Sequence, residues 1–285
     1  MKKQYREICI AFFFYTRFIL YSIQPLNLSL KCIFTEKRGM SSNVILNFTD
    51  TYSFENFYIN HDFDIIDCRD IDGTNCLCDD EAAKEILSKI ESYSYKGIHF
   101  IDSGNYHYVS KFWTDKISSP FNLVVFDHHP DMQESLFDGI LSCGNWVTKV
   151  LDTNSLVKKV LLIGPDDKLV AEVGNKYADR VTVVCESEIH NVQLIAEKLD
   201  DISTEPIYIS IDKDVLSKKE EQTNWDQGSL TTNELKNILS KMKKQHNILG
   251  VDICGTCPLV TFQMLGDNDL INDNHINAEL LELFI

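Results

Sequence analysis

The stretch Val124-Val125-Phe126-Asp127-His128-His129-Pro130-Asp131 places two aspartates and two histidines within five positions, directly after an apolar run. In an extended segment alternate side chains share one face. Asp127, His129 and Asp131 can therefore converge while His128 and Pro130 point elsewhere. The same spacing recurs at Asp212 and Asp214, after Ile207-Tyr208-Ile209-Ser210-Ile211. His107 ends a third passage from an apolar run into a polar loop. Four carboxylates and two imidazoles suit a pair of borderline-hard divalent ions, with manganese favoured over zinc because oxygen ligands dominate. Without cations such carboxylates would resist joint ionisation. Taken singly, each of these residues reads as an ordinary cap, loop or core group. Their repetition on separate segments is what points to metal chemistry.

The elements that must position them are short apolar runs alternating with helix-like segments. Strands are expected at 44–48, 63–67, 97–102, 123–127, 160–164, 181–185, 207–212 and 248–254, where continuous apolar runs suit burial on both faces. Helices are expected at 80–93, around 144–152, at 188–201 and at 231–245. In the last, Leu235, Ile238, Leu239 and Met242 share a face, with Thr232 as the expected N-cap. Alternating strand and helix predicts a three-layer α/β/α domain around a mainly parallel sheet. In that architecture ligands gather at the carboxyl ends of strands, where His107, Asp127, Asp212 and Cys254 all fall.

At 285 residues, with 44% apolar and 25% charged content, the chain has the composition of an ordinary globular protein. A formal charge of −16 argues against a general nucleic-acid or anionic-membrane binder, because lysine and arginine supply the attraction in both cases. Nine scattered cysteines are not a small disulfide framework and suggest thiols in a reducing cytoplasm. Cys76 and Cys78 form a CxC and Cys254 and Cys257 a CxxC, but no neighbouring spacing completes a standard zinc pattern. The first 26 residues are basic and then apolar, with Arg17 dividing the run into pieces too short to span a bilayer. Residues 1–39 are expected to lie outside the fold, as an upstream mis-start or alternatively a membrane-associating helix. Residues 40–285 are expected to be the functional domain.

From about residue 44 to the end the chain resembles the arginase–agmatinase (ureohydrolase) superfamily. That family's DxHxD is matched by Asp127-His128-His129-Pro130-Asp131, and its SxDxD by Ser210-Ile211-Asp212-Lys213-Asp214. Its upstream GGDHS loop corresponds loosely to Ser103-Gly104-Asn105-Tyr106-His107, where the histidine survives. The resemblance implies an arginase-like fold and two manganese ions per chain. One would be held by His107, Asp127, Asp131 and Asp212, the other by His129, Asp127, Asp212 and Asp214, with Asp127 and Asp212 bridging. It also implies hydrolysis of a C–N bond in a guanidino or related small molecule by a metal-bridging hydroxide that Asp131 orients. Homo-oligomers are common among such proteins.

Departures from the family pattern concern the substrate. The TSGNLH-like stretch is Ser142-Cys143-Gly144-Asn145-Trp146-Val147 here. It keeps Asn145 for a polar substrate contact and puts Val147 where a proton-transferring histidine would stand. In the DIxEVNP-like segment Gly255 takes the place of the guanidinium-recognising glutamate, and the nearby Cys254 is expected to line the pocket. A cation without its carboxylate partner is costly to bury, so arginine itself is an improbable substrate. Other readings are a catalytically inactive metal-binding member, a DHH-type manganese phosphoesterase or a single-zinc deacetylase. The phosphoesterase would use Asp127-His128-His129, but its upstream motif has only Asn60-His61-Asp62-Phe63-Asp64 as a candidate, at the wrong spacing.

Overall fold

The computed structural model describes residues 41–135, 139–202, 205–258 and 267–285. The expectations for residues 1–39 fall outside these residues. The chain runs through β1 (Asn43–Asn47), β2 (Phe63–Asp67), β3 (Leu77–Cys78), α1 (Asp80–Ile90), β4 (Ile98–Phe100) and α2 (Val109–Thr114). It continues through β5 (Phe121–Phe126), β6 (Leu141–Ser142), α3 (Trp146–Thr153), β7 (Val157–Ile163), β8 (Val181–Val184) and α4 (Val192–Asp200). β9 (Ile207–Asp212), α5 (Thr232–Gln245), β10 (Ile248–Cys254) and α6 (Asp267–Phe284) complete it.

Eight strands form one sheet in the order β2-β1-β4-β10-β9-β5-β7-β8, and every pairing in it is parallel. β3 and β6 form a separate antiparallel ladder. The alternation of the strand side chains splits the core in two. Val44, Leu46, Leu123, Val125 and Leu162 pack on one face with the apolar sides of α1, α2 and α3. Ile45, Val124, Phe126, Ile209 and Ile211 pack on the other with α4, α5 and α6. The expected three-layer α/β/α arrangement is therefore present, with β5 and β9 buried along their whole length.

Chain order makes the crevice for a ligand. β4 neighbours β1 on one side, while the next strand in the chain to join the sheet, β5, lies beyond β10 and β9. Ile211 of β9 is level with Phe126 of β5, and Asp212 is level with Cys254 of β10. Asp127 and Asp212 thus leave adjacent strand ends side by side.

The helix over 232–245 starts one position earlier in its capping than the sequence reading gave. Thr231, not Thr232, accepts from the Glu234 amide, while the Glu234 side chain reaches back to the Thr231 amide. The Thr-x-x-Glu box decides this register, leaving Thr232 as the first helical residue. Neither α2 nor α6 was expected. α2 spans only six residues, and α6 is rich in Asn and Asp, which favour turns over helices. Burial of Ile276, Leu280 and Leu281 against the α5 layer overrides that preference. Among the described residues no helix is long and apolar enough to cross a membrane.

Candidate metal centre

Each side chain at the carboxyl edge of the sheet has a local reason for its position. After β4, the carboxylate of Asp102 accepts from the amides of Phe48, Thr49 and Ser103, tying the end of β4 to the end of β1. This anchors the single 3-10 turn Gly104–Tyr106 that delivers His107. After β5 the chain bends at His128–His129, where the His129 amide donates to Asp127 Oδ1 at 2.6 Å. Asp131 takes a left-handed φ of 50°, uncommon for a residue with a side chain. After β9 the Asp214 amide donates to Asp212 Oδ1 at 3.0 Å, closing another 3-10 turn.

These segments bring all six expected ligands together. His107 Nδ1 lies 3.1 Å from Asp127 Oδ2, 3.0 Å from Asp131 Oδ2 and 3.6 Å from Asp212 Oδ2. His129 Nδ1 lies 2.9 Å from Asp214 Oδ2 and 3.4 Å from Asp127 Oδ1. Among the described residues the donor atoms fall into three groups, His107–Asp127–Asp131, Asp127–His129–Asp214 and His107–Asp212–Cys254, each within 4.8 Å, with Asp127 common to the first two. Of the two adjacent histidines, His129 is the one that faces the carboxylates. His128 turns away, its ring nitrogen 3.9 Å from Glu186, while its amide donates to Asp214 Oδ1.

His107 carries the test of whether the site fits a cation. Its Nε2 meets Ser210 Oγ at 2.9 Å, and Ser210 and Ser110 both donate to Asp252 Oδ1. This relay fixes the ring from behind, as outer partners fix metal-binding histidines. Nδ1, facing forward, is buried among three carboxylate oxygens and makes no aligned hydrogen bond to any of them. A ring nitrogen placed this way has the geometry of a ligand, and the oxygen-rich donor set suits a hard or borderline cation.

The electrostatics agree. Burial and the Asp127 carboxylate push Asp131 up to about 7. Burial, then Asp212 and Asp127, push Asp214 well above the carboxylate range. Burial disfavours charge on His129, yet Asp127 and Asp214 hold it up to about 12. The cluster demands positive charge, as protons or as metal.

Asp212 is held on several sides. A Cβ on Gly104 would lie 2.7 Å from its Oδ2, and one on Gly255 would lie 2.4 Å from its Oδ1 and 2.6 Å from the Lys213 amide. Gly255 also has a φ of 92°, a left-handed value. The place expected for a guanidinium-binding glutamate is thus closed to any side chain. Behind Asp212 and Asp214, fully buried Lys213 pairs with Asp273 and bonds Thr256 and Asn277, each at 3.0 Å. The ligand loop is therefore anchored to α6.

Asn145 and Cys254 do not face the cavity. The Asn145 side-chain Oδ1 accepts from the Ser142 amide, and its Nδ2 donates to Ser135 Oγ and to the Ile140 carbonyl, so its side-chain amide is spent on its own loop. Cys254 lies below the carboxylates, its thiol donating to Asp212 Oδ2 at 3.2 Å. Burial pushes that thiol up, away from reactivity. The sequence reading missed Trp146. Its indole donates to Asp131 Oδ2 at 2.7 Å, and its ring tilts against His107 with centroids 4.9 Å apart. A tryptophan beside an apolar helix reads as core, so only its adjacency to Asn145 offered a signal.

A cavity of about 250 Å³ opens above Asp127, His129, Asp131, Asp212 and Asp214. Among the described residues the rest of its wall is Gly104, Cys76, Leu77, Gln133, Ser142, Cys143, Gly144 and Trp225, with no charged side chain. The DHH reading fails on position. Asn60–Asp64 lead into the amino end of β2, and β2 runs parallel to the strands whose carboxyl ends hold the ligands.

A parallel sheet with six ligands converging at its carboxyl edge defines a candidate centre for two cations. The chain belongs to the arginase family, whose sequence model matches residues 38–264, and members of that family are hydrolases of C–N bonds. An uncharacterised protein of Thermotoga maritima is 32% identical over 200 residues, covering 70% of this chain and 75% of its own. The arginase of Bacillus cereus is similar in fold, with a TM-score of 0.62 at 15% identity, over 85% of this chain and 97% of that one. The formiminoglutamase of Trypanosoma cruzi with Mn2+ gives 0.62 at 13% identity, over 88% and 96%. A hypothetical agmatinase of Burkholderia thailandensis gives 0.52 at 20% identity, over 71% of this chain and 62% of that one, so the chain spans less than two thirds of its length.

Proposed function

We propose that this chain is a binuclear manganese-dependent hydrolase that cleaves a C–N bond in a small amide, amidino or guanidino compound other than arginine. The observation that supports this most is the buried, unpartnered Nδ1 of His107 set among carboxylates that converge with His129 and Asp214. His107, Asp127, Asp131 and Asp212 would hold one ion, and His129, Asp127, Asp212 and Asp214 the other. Two bound divalent ions would supply Lewis-acid activation of water and of the scissile group.

The chain's own residues do the rest. Asp131, fixed by Trp146, orients the attacking water toward the cavity. Trp225 stands over His129, with ring centroids 5.7 Å apart, and shields that side from solvent. Gln133 and Ser142 offer uncharged hydrogen-bonding groups on the wall, beside apolar Leu77. Among the described residues, no carboxylate beyond the ligands lines the cavity to pair with a cationic substrate tail. The wall therefore favours a substrate that is neutral away from the reacting group. The remaining expectations belong to the same proposal: residues 40–285 as the catalytic unit, a small molecule and not nucleic acid as partner, a homo-oligomer, and a reducing cytoplasm.

The test is a turnover screen of manganese-loaded protein against neutral amides, amidines and formimino compounds, with arginine and agmatine alongside. Ammonia, urea or amine release is the readout. Hydrolysis of a neutral member with arginine inert is expected. Efficient arginine hydrolysis would overturn the specificity, and no turnover by fully loaded protein would leave a metal-binding family member without catalysis.

A further inference from the structure

The cavity wall holds two nucleophilic groups that the hydrolytic chemistry does not use, Cys76 and Cys143. Neither belongs to a candidate cation cluster. They sit opposite each other at the end of the two-stranded ladder. Leu77 opposes Ser142 and Cys78 opposes Leu141, and one step further the Cys143 amide donates to the Cys76 carbonyl at 3.0 Å. Cys76 lies one residue beyond the ladder with a left-handed φ of 61°, and the amide–carbonyl bond holds the two backbones in contact there, within reach of the Cα span of roughly 4.4–6.8 Å that a disulfide bridges. Both thiols are free and half-buried, and each shifts the proton affinity of the other. Cys68, Cys78 and Cys254, by contrast, are fully buried.

We propose that Cys76 and Cys143 form a dithiol modification site on the wall of the substrate cavity, which closes to a disulfide by exchange with a small-molecule disulfide. The Cys76 thiolate attacks one sulfur of that reagent, making a mixed disulfide and releasing one small thiolate. The Cys143 thiolate then attacks the Cys76 sulfur, breaking the mixed bond and releasing the second. The two protein thiols lose two electrons, and the reagent gains them and leaves as two thiols carrying both protons. Cys76 suits the first step, because its neighbour Cys143 draws its thiol down, to about 7. Reversible oxidation of this kind is the usual role of a disulfide in a reducing compartment. The cross-link would join β3 to β6 over the cavity and leave all six ligands in place.

The experiment exposes the full, manganese-loaded chain to oxidised glutathione, alkylates the remaining thiols and maps the peptides by non-reducing mass spectrometry. Expected is a chain lighter by two hydrogens, with a peptide pair linked through Cys76 and Cys143 and manganese content unchanged. The link should be absent from Cys76→Ser and from Cys143→Ser, and reversed by excess reduced glutathione. Alkylation of both residues after oxidation would overturn the proposal, as would a link from either to another cysteine or a stable glutathione adduct on Cys76. Mass, not turnover, is read, so the outcome is independent of the hydrolytic reading.

Discussion

At the scale of single residues, the centre depends on groups that hold the ligands as much as on the ligands. Trp146 is the clearest case, because its indole N–H is the hydrogen bond that fixes Asp131. Trp146→Phe keeps a ring against His107 and removes that donor. Manganese affinity or turnover should fall about 10- to 100-fold, the usual cost of losing an outer partner, with little change in melting temperature. Unaltered affinity and turnover, measured by calorimetry and steady-state kinetics, would show that Asp131 needs no such support. Gly255 makes the complementary case. Gly255→Glu should fail to create arginine hydrolysis and should instead lower manganese content, because its Cβ would press on Asp212. Arginine turnover by that variant with full metal content would contradict this. Five of the six expected ligands were legible from alternate spacing alone. His107 needed its place after a strand and the family resemblance. The role of Trp146 was not legible, because an indole that packs and donates at once looks like any core tryptophan. Asn145 misled for the opposite reason: its amide serves its own loop.

At the scale of elements, the strand runs were readable because strands buried on both faces carry unbroken apolar stretches. The register between strands was not readable, yet it is what sets Asp127 beside Asp212 and Cys254 level with Asp212. The β3–β6 ladder escaped notice because each strand has only two residues, and with it went the pairing of Cys76 with Cys143. The α5 start is a sharper lesson, since two adjacent threonines both suit a cap and only the position of Glu234 decides between them. Thr231→Ala should lower stability by about 1 kcal/mol, read as a shift of the urea midpoint without a change in slope. An unmoved midpoint would place the cap elsewhere.

At the scale of the whole molecule, four carboxylates and two histidines in one buried cluster couple stability to pH and to metal. Asp131, Asp212 and Asp214 all have raised pKa values from burial and their acidic neighbours, and Asp127 and Asp214 raise His129 against its burial. When no cation shares the site, the folded state holds these protons more tightly than the unfolded chain does. Their contribution to stability is then fully present below the unfolded carboxylate range and is lost as pH rises through about 7 at Asp131 and onward at His129, while Asp127, which His107 and His129 draw down against its burial, contributes with the opposite sign only at acid pH. Metal-stripped protein should melt at progressively lower temperature as pH rises from about 5 to about 9, and manganese should flatten or reverse that trend by replacing the protons. A melting temperature of stripped protein that rises over this range would contradict the assignment.

The central claim is that two cations share Asp127, and metal stoichiometry tests it most directly. Elemental analysis of protein purified without chelators and equilibrated with manganese should give two ions per chain. Asp127→Ala should lose both, because that carboxylate belongs to the group with His107 and Asp131 and to the group with His129 and Asp214, whereas His129→Ala should retain one. A single ion in the parent protein, or a content untouched by Asp127→Ala, would mean that these six residues do not form the shared centre.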